Sequence, residues 1–222
     1  MVKTVIVTGA GGALGKAVVN KFTSEDFEVI ATVSPGKELG YSVQGNISVH
    51  ALDLTAEADV TLFVDSIIKT NAAIDACICI AGGFTSGNLN VTDGKLLTKM
   101  MAINFETTYH LVRQVYKKMV EQKKGRIILV GAKPGMQASL GNNMVAYSLS
   151  KSLIFRLSEI INVSSKNTGV GCVVVVPDTI DTPANRAAMP TADFTIWTKP
   201  EKIADTMLNL ITGSNTSTVV EV

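Results

Sequence analysis

The sequence is poor in aromatic residues and carries almost no net charge. Aromatic residues make up 5% of the 222 positions, and 20 basic residues are balanced by 19 acidic ones. A protein that holds nucleic acid needs a basic face against the phosphates, so this composition gives no support to a nucleic-acid partner. Apolar residues still make up 46% of the chain. The core must therefore be mainly aliphatic, as in a parallel sheet buried on both faces.

Cysteine and long apolar runs are also scarce. The three cysteines, Cys77, Cys79 and Cys172, all lie in apolar stretches. An odd number of cysteines in strand-like runs predicts buried thiols in a reducing compartment, and no further ligands stand near them to suggest a metal site. No apolar run approaches the length of about 18 residues that a membrane helix needs, and the first residues are typical of a strand and not of a signal peptide. We therefore expect a cytoplasmic protein with no metal and no membrane association.

Strand and helix patterns alternate along the chain. Such alternation predicts right-handed crossovers and a mainly parallel sheet. We expect one Rossmann-type, doubly wound α/β domain over residues 1–222, with a seven-stranded sheet and helices on both faces. The predicted strands are Val2–Val7, Glu28–Val33, Ile47–Leu52, Ile74–Ile80, Arg126–Val130, Val170–Val176 and Thr218–Val222. The predicted helices are Ala13–Ser24, Glu57–Thr70, Gly94–Gln122, Val145–Asn167 and Pro200–Thr212.

The segment 183–198 is the least regular part of the sequence. It is rich in alanine, methionine and proline. Long irregular connections on compact domains are commonly binding loops. We therefore expect a substrate lid over residues 183–198, with an ordinary packed connection as the alternative.

A glycine-rich turn joins the first predicted strand to the first predicted helix. Residues 8–15 read TGAGGALG. Glycines in such a turn let backbone N–H groups approach a pyrophosphate, and the positive end of the following helix faces the same charge. The turn therefore predicts a dinucleotide site.

The end of the second predicted strand bears on which dinucleotide would bind. An acidic residue usually stands about 20 positions after the turn and binds the ribose hydroxyls. Here the strand ends at Ser34, and Lys37 follows. A serine with a nearby lysine accommodates a 2′-phosphate better than a carboxylate does. The sequence therefore favours NADP with Ser34 as a contact, and NAD is the alternative because Glu38 is close.

Tyr147 and Lys151 form the candidate proton-handling pair. They are four residues apart in a predicted helix, which places them on one face. A tyrosine has an ordinary pKa of about 10, and a neighbouring ammonium lowers that pKa. We expect Tyr147 to exchange a proton with the substrate and Lys151 to lower the pKa of Tyr147 and hold the nicotinamide ribose.

Taken together, these motifs resemble the short-chain dehydrogenase/reductase family over essentially the whole chain. The motifs are TGAGGALG at 8–15, DL at 53–54, AGG at 81–83, Asn104, YSLSK at 147–151 and PDTIDT at 177–182. The resemblance implies that Tyr147, Lys151 and Asn104 are catalytic, with Asn104 supporting a water-mediated proton relay to the lysine. The cofactor contacts that it implies are Gly9, Gly12, Leu14 and Gly15 in the phosphate turn, Asp53, Leu54, Ala81 and Gly82 around the adenosine, and Lys151, Pro177 and Thr182 toward the nicotinamide.

One position departs from the family pattern. Ala132 stands where the family usually has its catalytic serine, and an alanine cannot polarise a substrate oxygen. Ser139, farther along the loop, could replace it. The GAK at 131–133 and the DTPANR at 181–186 resemble the dihydropteridine reductase branch of the family, which also has alanine at this point. That resemblance implies a quinonoid dihydropterin, a substrate that accepts hydride readily and needs a proton donor.

Three functions stay open at this point. The leading one is an NAD(P)H-dependent reductase of a small activated substrate, followed by a general carbonyl or 3-oxoacyl reductase and by a non-catalytic redox sensor. The family resemblance implies a homodimer or homotetramer formed through the helices predicted at 94–122 and 145–167. Apolar positions available for that interface are Leu153, Phe155 and Leu157, with the alternative that they only cover the sheet. Candidates for an apolar substrate pocket are Met136, Met189 and Trp197, although core packing is the favoured interpretation of each.

Overall fold

The computed structural model describes residues 2–213 and 216–222, and these form the α/β domain that the alternating pattern predicts. One parallel sheet runs in the order β3-β2-β1-β4-β5-β6-β7. Its strands are β1 Thr4–Val7, β2 Glu28–Val33, β3 Ile47–Ala51, β4 Ala76–Cys79, β5 Gly125–Val130, β6 Val170–Val176 and β7 Val219–Glu221. The fold class is therefore confirmed, including the number of strands and their parallel pairing.

Helices cover both faces of the sheet. They are α1 Ala13–Ser24, α2 Glu57–Thr70, α3 Gly94–Met101, α4 Thr107–Glu121, α5 Lys133–Met136, α6 Ala138–Gly141, α7 Val145–Ser164, α8 Pro183–Ala188 and α9 Pro200–Thr212. Apolar residues of α2, α4 and α7 form one core cluster with the sheet, and those of α1 and α9 form a second cluster on the opposite face. Successive residues of a strand point to opposite faces, so the central strands β1, β2, β4, β5 and β6 contribute to both clusters.

The helix predicted over 94–122 is not continuous. A π-helical turn, Ala102–Glu106, separates α3 from α4. This turn contains Asn104, and π-turns within helices are often found at functional sites. The prediction of one helix missed the interruption, because the residues within it and on both sides of it remain helical.

The segment 183–198 is more regular than its composition indicates. It contains α8 and a 3₁₀ turn, Phe194–Ile196, and a bridge between Ile180 and Thr198 ties down its far end. Trp197 is buried and its ring lies 4.8 Å from that of Phe194, so it is a packing residue of this segment. Met136 and Met189 are exposed.

Two of the three side chains expected at a subunit interface belong to the core instead. Leu157 is buried in the cluster under α7, and Phe155 packs against the same cluster. The exposed apolar side chains of α7 are Leu149, Ile160 and Val163. Their spacing along the helix places them on one face. The sequence pattern alone did not distinguish this exposed apolar face of α7 from the buried one.

The three cysteines are buried free thiols, as predicted. Cys77 and Cys79 point to the same face of β4, with their sulfur atoms 3.9 Å apart. Within the described ranges, no helix is both long and apolar enough to cross a membrane.

Candidate active site

A cleft opens at the carboxyl ends of β1, β2 and β4, where the strand order reverses. This is the usual position of a ligand site in an open α/β sheet. The cleft has a volume of about 330 Å³. Six of the predicted cofactor residues line it, namely Gly9, Ser34, Asp53, Leu54, Ala81 and Gly82. The other six, Gly12, Leu14, Gly15, Lys151, Pro177 and Thr182, lie outside its lining.

Thr8 joins the two strands that flank the reversal. It is buried, and its hydroxyl oxygen accepts hydrogen bonds from the backbone N–H groups of Ile80 and Ala81, at 2.9 and 3.0 Å. The end of β1 and the end of β4 are thereby held at a fixed separation. Thr8, the first residue of TGAGGALG, therefore fixes the ends of two strands relative to each other, a role that the motif did not predict.

The glycine-rich turn leads into α1 without a side-chain cap. Gly12 is the N-cap residue, and in the part of the chain that the structure describes its side-chain position offers no cap hydrogen bond to the first turn of the helix. A Cβ on Gly15 would lie 2.7 Å from Ala10 Cα and closer still to the carbonyl oxygen of Gly9, so only glycine lets the helix approach the turn so closely. The side chain of Leu14 is buried in the core, which leaves only its backbone for a ligand.

The opposite end of the cleft is formed by polar groups after β2 and β3. Ser34 is exposed at the tip of β2. Asp53 Oδ1 accepts hydrogen bonds from the backbone N–H and the hydroxyl of Thr55, at 2.9 and 2.7 Å, and these bonds lower the pKa of the Asp53 carboxyl. Thr32 also lines the cleft, and its buried hydroxyl has no hydrogen-bond partner within the described part of the chain.

Asn104 connects the end of β4 to the helix that carries the candidate pair. It is fully buried; its Oδ1 accepts from Gly83 N–H at 2.9 Å, and its Nδ2 donates to the Gly83 carbonyl at 3.0 Å and to Ser150 Oγ at 3.1 Å. Ser150 Oγ in turn donates to the backbone carbonyl of Tyr147 at 2.7 Å. The oxygen and the nitrogen of the Asn104 side chain are therefore both hydrogen-bonded to protein groups, and they hold the two segments in position. A proton relay through Asn104 would have to use its backbone.

Lys151 lies beside this network. A Cβ placed on Gly82 would be 2.5 Å from Asn104 Oδ1 and 3.8 Å from Lys151 Nζ. The structure thus brings Gly82, Asn104 and Lys151 together, as the motifs predict. The ammonium donates to the carbonyl oxygen of Val130 at 2.8 Å, and burial lowers the pKa of Lys151 to about 8.

The expectation that Lys151 lowers the pKa of Tyr147 is wrong for this structure. Burial raises the pKa of Tyr147 to about 12, because a phenolate would be poorly solvated there. The ammonium of Lys151 is directed at Val130 instead. Tyr147 is therefore protonated at neutral pH, as an ordinary tyrosine is, and its raised pKa makes it a weaker acid than a solvated tyrosine. Its ring meets that of Phe84 edge to face, with the centroids 5.1 Å apart.

The position of the usual serine is filled by a buried alanine. Ala132 is 8% exposed at the end of β5. Ser139 lies in the short helix α6 and is exposed. The adjoining Lys133 Nζ forms an ion pair with Asp178 Oδ2 at 2.7 Å, which ties the loop after β5 to the loop after β6.

The last predicted contacts follow β6. Pro177 is buried directly after the strand. Thr182 is the N-cap of α8, and its hydroxyl accepts from the Asn185 N–H at 3.1 Å. Neither residue lines the cleft, so their roles toward a nicotinamide stay predictions.

Several residues of the site carried no signal in the sequence. Ile103 and Thr107 line the cleft from the π-turn and the start of α4. Ser150 lies inside the YSLSK motif but was not assigned a role, and Thr32 was visible only as a strand residue. Their places depend on packing between segments that are distant in the sequence.

Known proteins resemble this chain in sequence and in fold. A relative with 25% identity over 97% of this chain and 90% of its own length is the dihydropteridine reductase of Dictyostelium discoideum. Another, 29% identical over 81% of this chain and 74% of its own length, is a 3-oxoacyl-[acyl-carrier-protein] reductase of Buchnera aphidicola. Among solved structures, that of ElxO with NADP bound superimposes with a TM-score of 0.91 at 23% identity, covering 100% of this chain and 97% of its own.

The family itself is established by its sequence profile. The profile described as short chain dehydrogenase matches residues 3–193, which include the turn, the cleft, the Asn104 network and the Tyr147–Lys151 pair. The chain therefore belongs to the short chain dehydrogenase family of oxidoreductases.

Proposed function

We propose that this protein is an NAD(P)H-dependent reductase in which Tyr147 donates a proton to a small, already activated substrate. The observation that carries the proposal is the pair of Tyr147 and Lys151, one turn apart in α7 and joined through Ser150 to the Asn104 network, with no serine hydroxyl at position 132. A quinonoid dihydropterin is the leading substrate, and the dihydropteridine reductase relative supports it.

The residues of the cleft suit a dinucleotide. The uncapped first turn of α1 offers backbone N–H groups to a pyrophosphate. Thr32 supplies a buried hydroxyl that has no partner among the described residues, and Asp53 a carboxylate, on the side of the cleft where an adenosine would lie. Exposed Ser34 at the tip of β2 leaves room for a 2′-phosphate, so we propose NADP as the preferred form.

The protein's own part in the reaction is to hold and deliver a proton. A bound nicotinamide supplies the hydride. Tyr147 gives its phenolic proton to the substrate atom that gains electron density, and Lys151 would hold the nicotinamide ribose. Asn104 and Ser150 keep α7 in register with the end of β4, so that the two side chains stay in place.

The alternatives differ in what they require of the substrate. A general carbonyl or 3-oxoacyl reductase must polarise an unactivated carbonyl, and the loss of the serine at position 132 removes the usual donor. Because one relative is a 3-oxoacyl reductase, the experiment includes this alternative. A non-catalytic sensor would have no need of a proton donor, and the intact pair disfavours it.

The test is oxidation of NADPH and of NADH in the presence of quinonoid dihydropterin and of a panel of ketones. We expect dihydropterin turnover with a preference for NADPH, and a loss of about 10²–10⁴-fold in kcat for Tyr147→Phe with unchanged affinity for NADPH. Tyr116→Phe, in α4, is the matched control. Turnover that survives Tyr147→Phe contradicts the mechanism, turnover of ketones alone favours the carbonyl reductase, and binding without any turnover favours the sensor.

We also propose that the protein is a homo-oligomer that pairs through α4 and α7. Tyr109 of α4 and Leu149, Ile160 and Val163 of α7 are exposed apolar side chains, and exposed apolar patches mark interfaces. Sedimentation velocity should show a dimer or tetramer, and Ile160→Lys should shift it toward the monomer. A wild-type monomer at micromolar concentration contradicts this proposal.

A further inference from the structure

The segment 34–46, between β2 and β3, folds back over the glycine-rich turn. Tyr41 lies in this segment, and its hydroxyl donates a hydrogen bond to the backbone carbonyl of Ala10 at 2.9 Å. The ammonium of Lys16, in the second turn of α1, lies 5.2 Å from the centroid of the Tyr41 ring. The tyrosine is therefore held between the turn and the helix that follows it.

Ala10 is the residue through which other segments are hydrogen-bonded to the glycine-rich turn. It is fully buried, its N–H donates to the carbonyl of Thr32 at 3.0 Å, and its carbonyl accepts from Tyr41. Both backbone polar groups of Ala10 are thus bonded to other segments. Removal of the Tyr41 hydroxyl would leave a buried carbonyl without that partner, which is costly, and the turn would relax to relieve it.

The segment itself is anchored well enough to act as a support. The side chains of Leu39, Tyr41 and Val43 pack against the core cluster of α1 and α9. The carbonyl oxygen of Glu38 would lie 3.3 Å from a Cβ on Gly11, so the backbone of the segment also closely approaches the turn. Burial raises the pKa of Tyr41 to about 12, which keeps its hydroxyl a donor over the whole range of enzyme assays.

We infer that Tyr41 is a positioning residue for the phosphate-binding turn, and that it determines the affinity of the protein for the diphosphate of its dinucleotide. The inference rests on the proposed function only in taking a dinucleotide as the ligand. Tyr41 itself lies outside the lining of the cleft and acts through Ala10. Its loss should affect ligands that contact the turn and spare those that occupy only the adenosine end of the cleft.

The experiment compares ADP with adenosine as competitors for bound NADPH, in the wild type and in Tyr41→Phe. We expect the affinity for ADP to fall about five- to tenfold, as for the loss of one hydrogen bond, and the affinity for adenosine to change less than about twofold. Tyr116→Phe is the control, because this tyrosine packs against the opposite core cluster. Unchanged ADP affinity overturns the inference, and so does an equal loss for both ligands, which would indicate general destabilisation.

Hydrogen exchange of the wild type provides a test that needs no variant. ADP should slow exchange both in the turn at 9–12 and in the segment 36–43, whereas adenosine should leave 36–43 unaffected. A segment whose exchange does not respond to ADP overturns the inference. Both measurements are made without substrate, so a protein that binds ADP as expected but reduces nothing would contradict the proposed function and leave this inference standing.

Discussion

The ring of Phe84 meets the ring of Tyr147 edge to face, with their centroids 5.1 Å apart. Phe84 directly follows the glycine pair at the end of β4, and 63% of its surface is exposed. An exposed aromatic face beside the proposed proton donor suits a flat, conjugated substrate, because ring pairs contribute about 0.5–1.5 kcal/mol beyond their buried area.

Replacement of Phe84 should therefore weaken binding of a planar substrate. For Phe84→Ala we expect the KM for quinonoid dihydropterin to rise about three- to tenfold, with unchanged affinity for NADPH. Phe84→Leu, which keeps an apolar side chain, should recover part of the loss. An equal rise in KM for a non-planar ketone would show that the effect has nothing to do with ring stacking.

Restoration of the missing serine should broaden the substrate range. In Ala132→Ser the new hydroxyl can polarise a carbonyl oxygen, so we expect kcat/KM for simple ketones to rise at least about tenfold relative to that for dihydropterin. Ala138→Ser, at an exposed site of α6, is the control. Ser139→Ala should leave turnover of dihydropterin unchanged, and a large loss would show that Ser139 has taken over the role of the absent serine.

Gly15 and Gly94 offer a matched pair of glycines near helix N-termini. A Cβ on Gly15 would press on the backbone of Gly9 and Ala10, whereas a Cβ on Gly94 meets nothing within 4 Å. For Gly15→Ala we expect the affinity for NADPH to fall at least about tenfold and Tm to fall by about 2–4 °C for each kcal/mol of strain. Gly94→Ala should be neutral or stabilising. Tight NADPH binding by Gly15→Ala would show that the turn can shift without loss.

The pH dependence of unfolding should reveal the buried amine. The pKa of Lys151 is lowered from 10.5 to about 8 in the folded protein. Between these values the unfolded chain holds a proton that the folded chain has released, so this residue makes stability rise with pH across that window. Relative to Lys151→Met, we expect the free energy of unfolding of the wild type to rise by up to about 1.4 kcal/mol per pH unit.

Urea titrations from pH 7 to pH 10 measure this difference. The comparison of wild type with Lys151→Met is needed because burial also raises the pKa of Cys172 to about 12 in the folded protein. The Cys172 thiol adds its own pH dependence to the free energy of unfolding of both proteins. Lys117→Met, at an exposed position of α4, controls for the loss of one positive charge. A difference between wild type and Lys151→Met that is flat above pH 8 would contradict the lowered pKa.

The sequence by itself determined the architecture and the location of the site. The strand and helix periods predict seven parallel strands, with α1, α2 and α9 placed at their observed limits. The residues of the glycine-rich turn and the four-residue spacing of Tyr147 and Lys151 are local patterns. Such patterns do not depend on contacts between distant segments. The same is true of Ala132, whose missing hydroxyl can be read directly from the sequence.

The tertiary structure alone decided how these groups behave. The pKa of Tyr147 moves up and not down, because burial outweighs a lysine whose ammonium is directed at Val130. The side chain of Asn104 is hydrogen-bonded to Gly83 and Ser150. Tyr41 reaches Ala10 across 31 positions of sequence. Each of these facts depends on solvation and on hydrogen bonds between segments that only the folded chain brings together, and no periodicity or spacing encodes them.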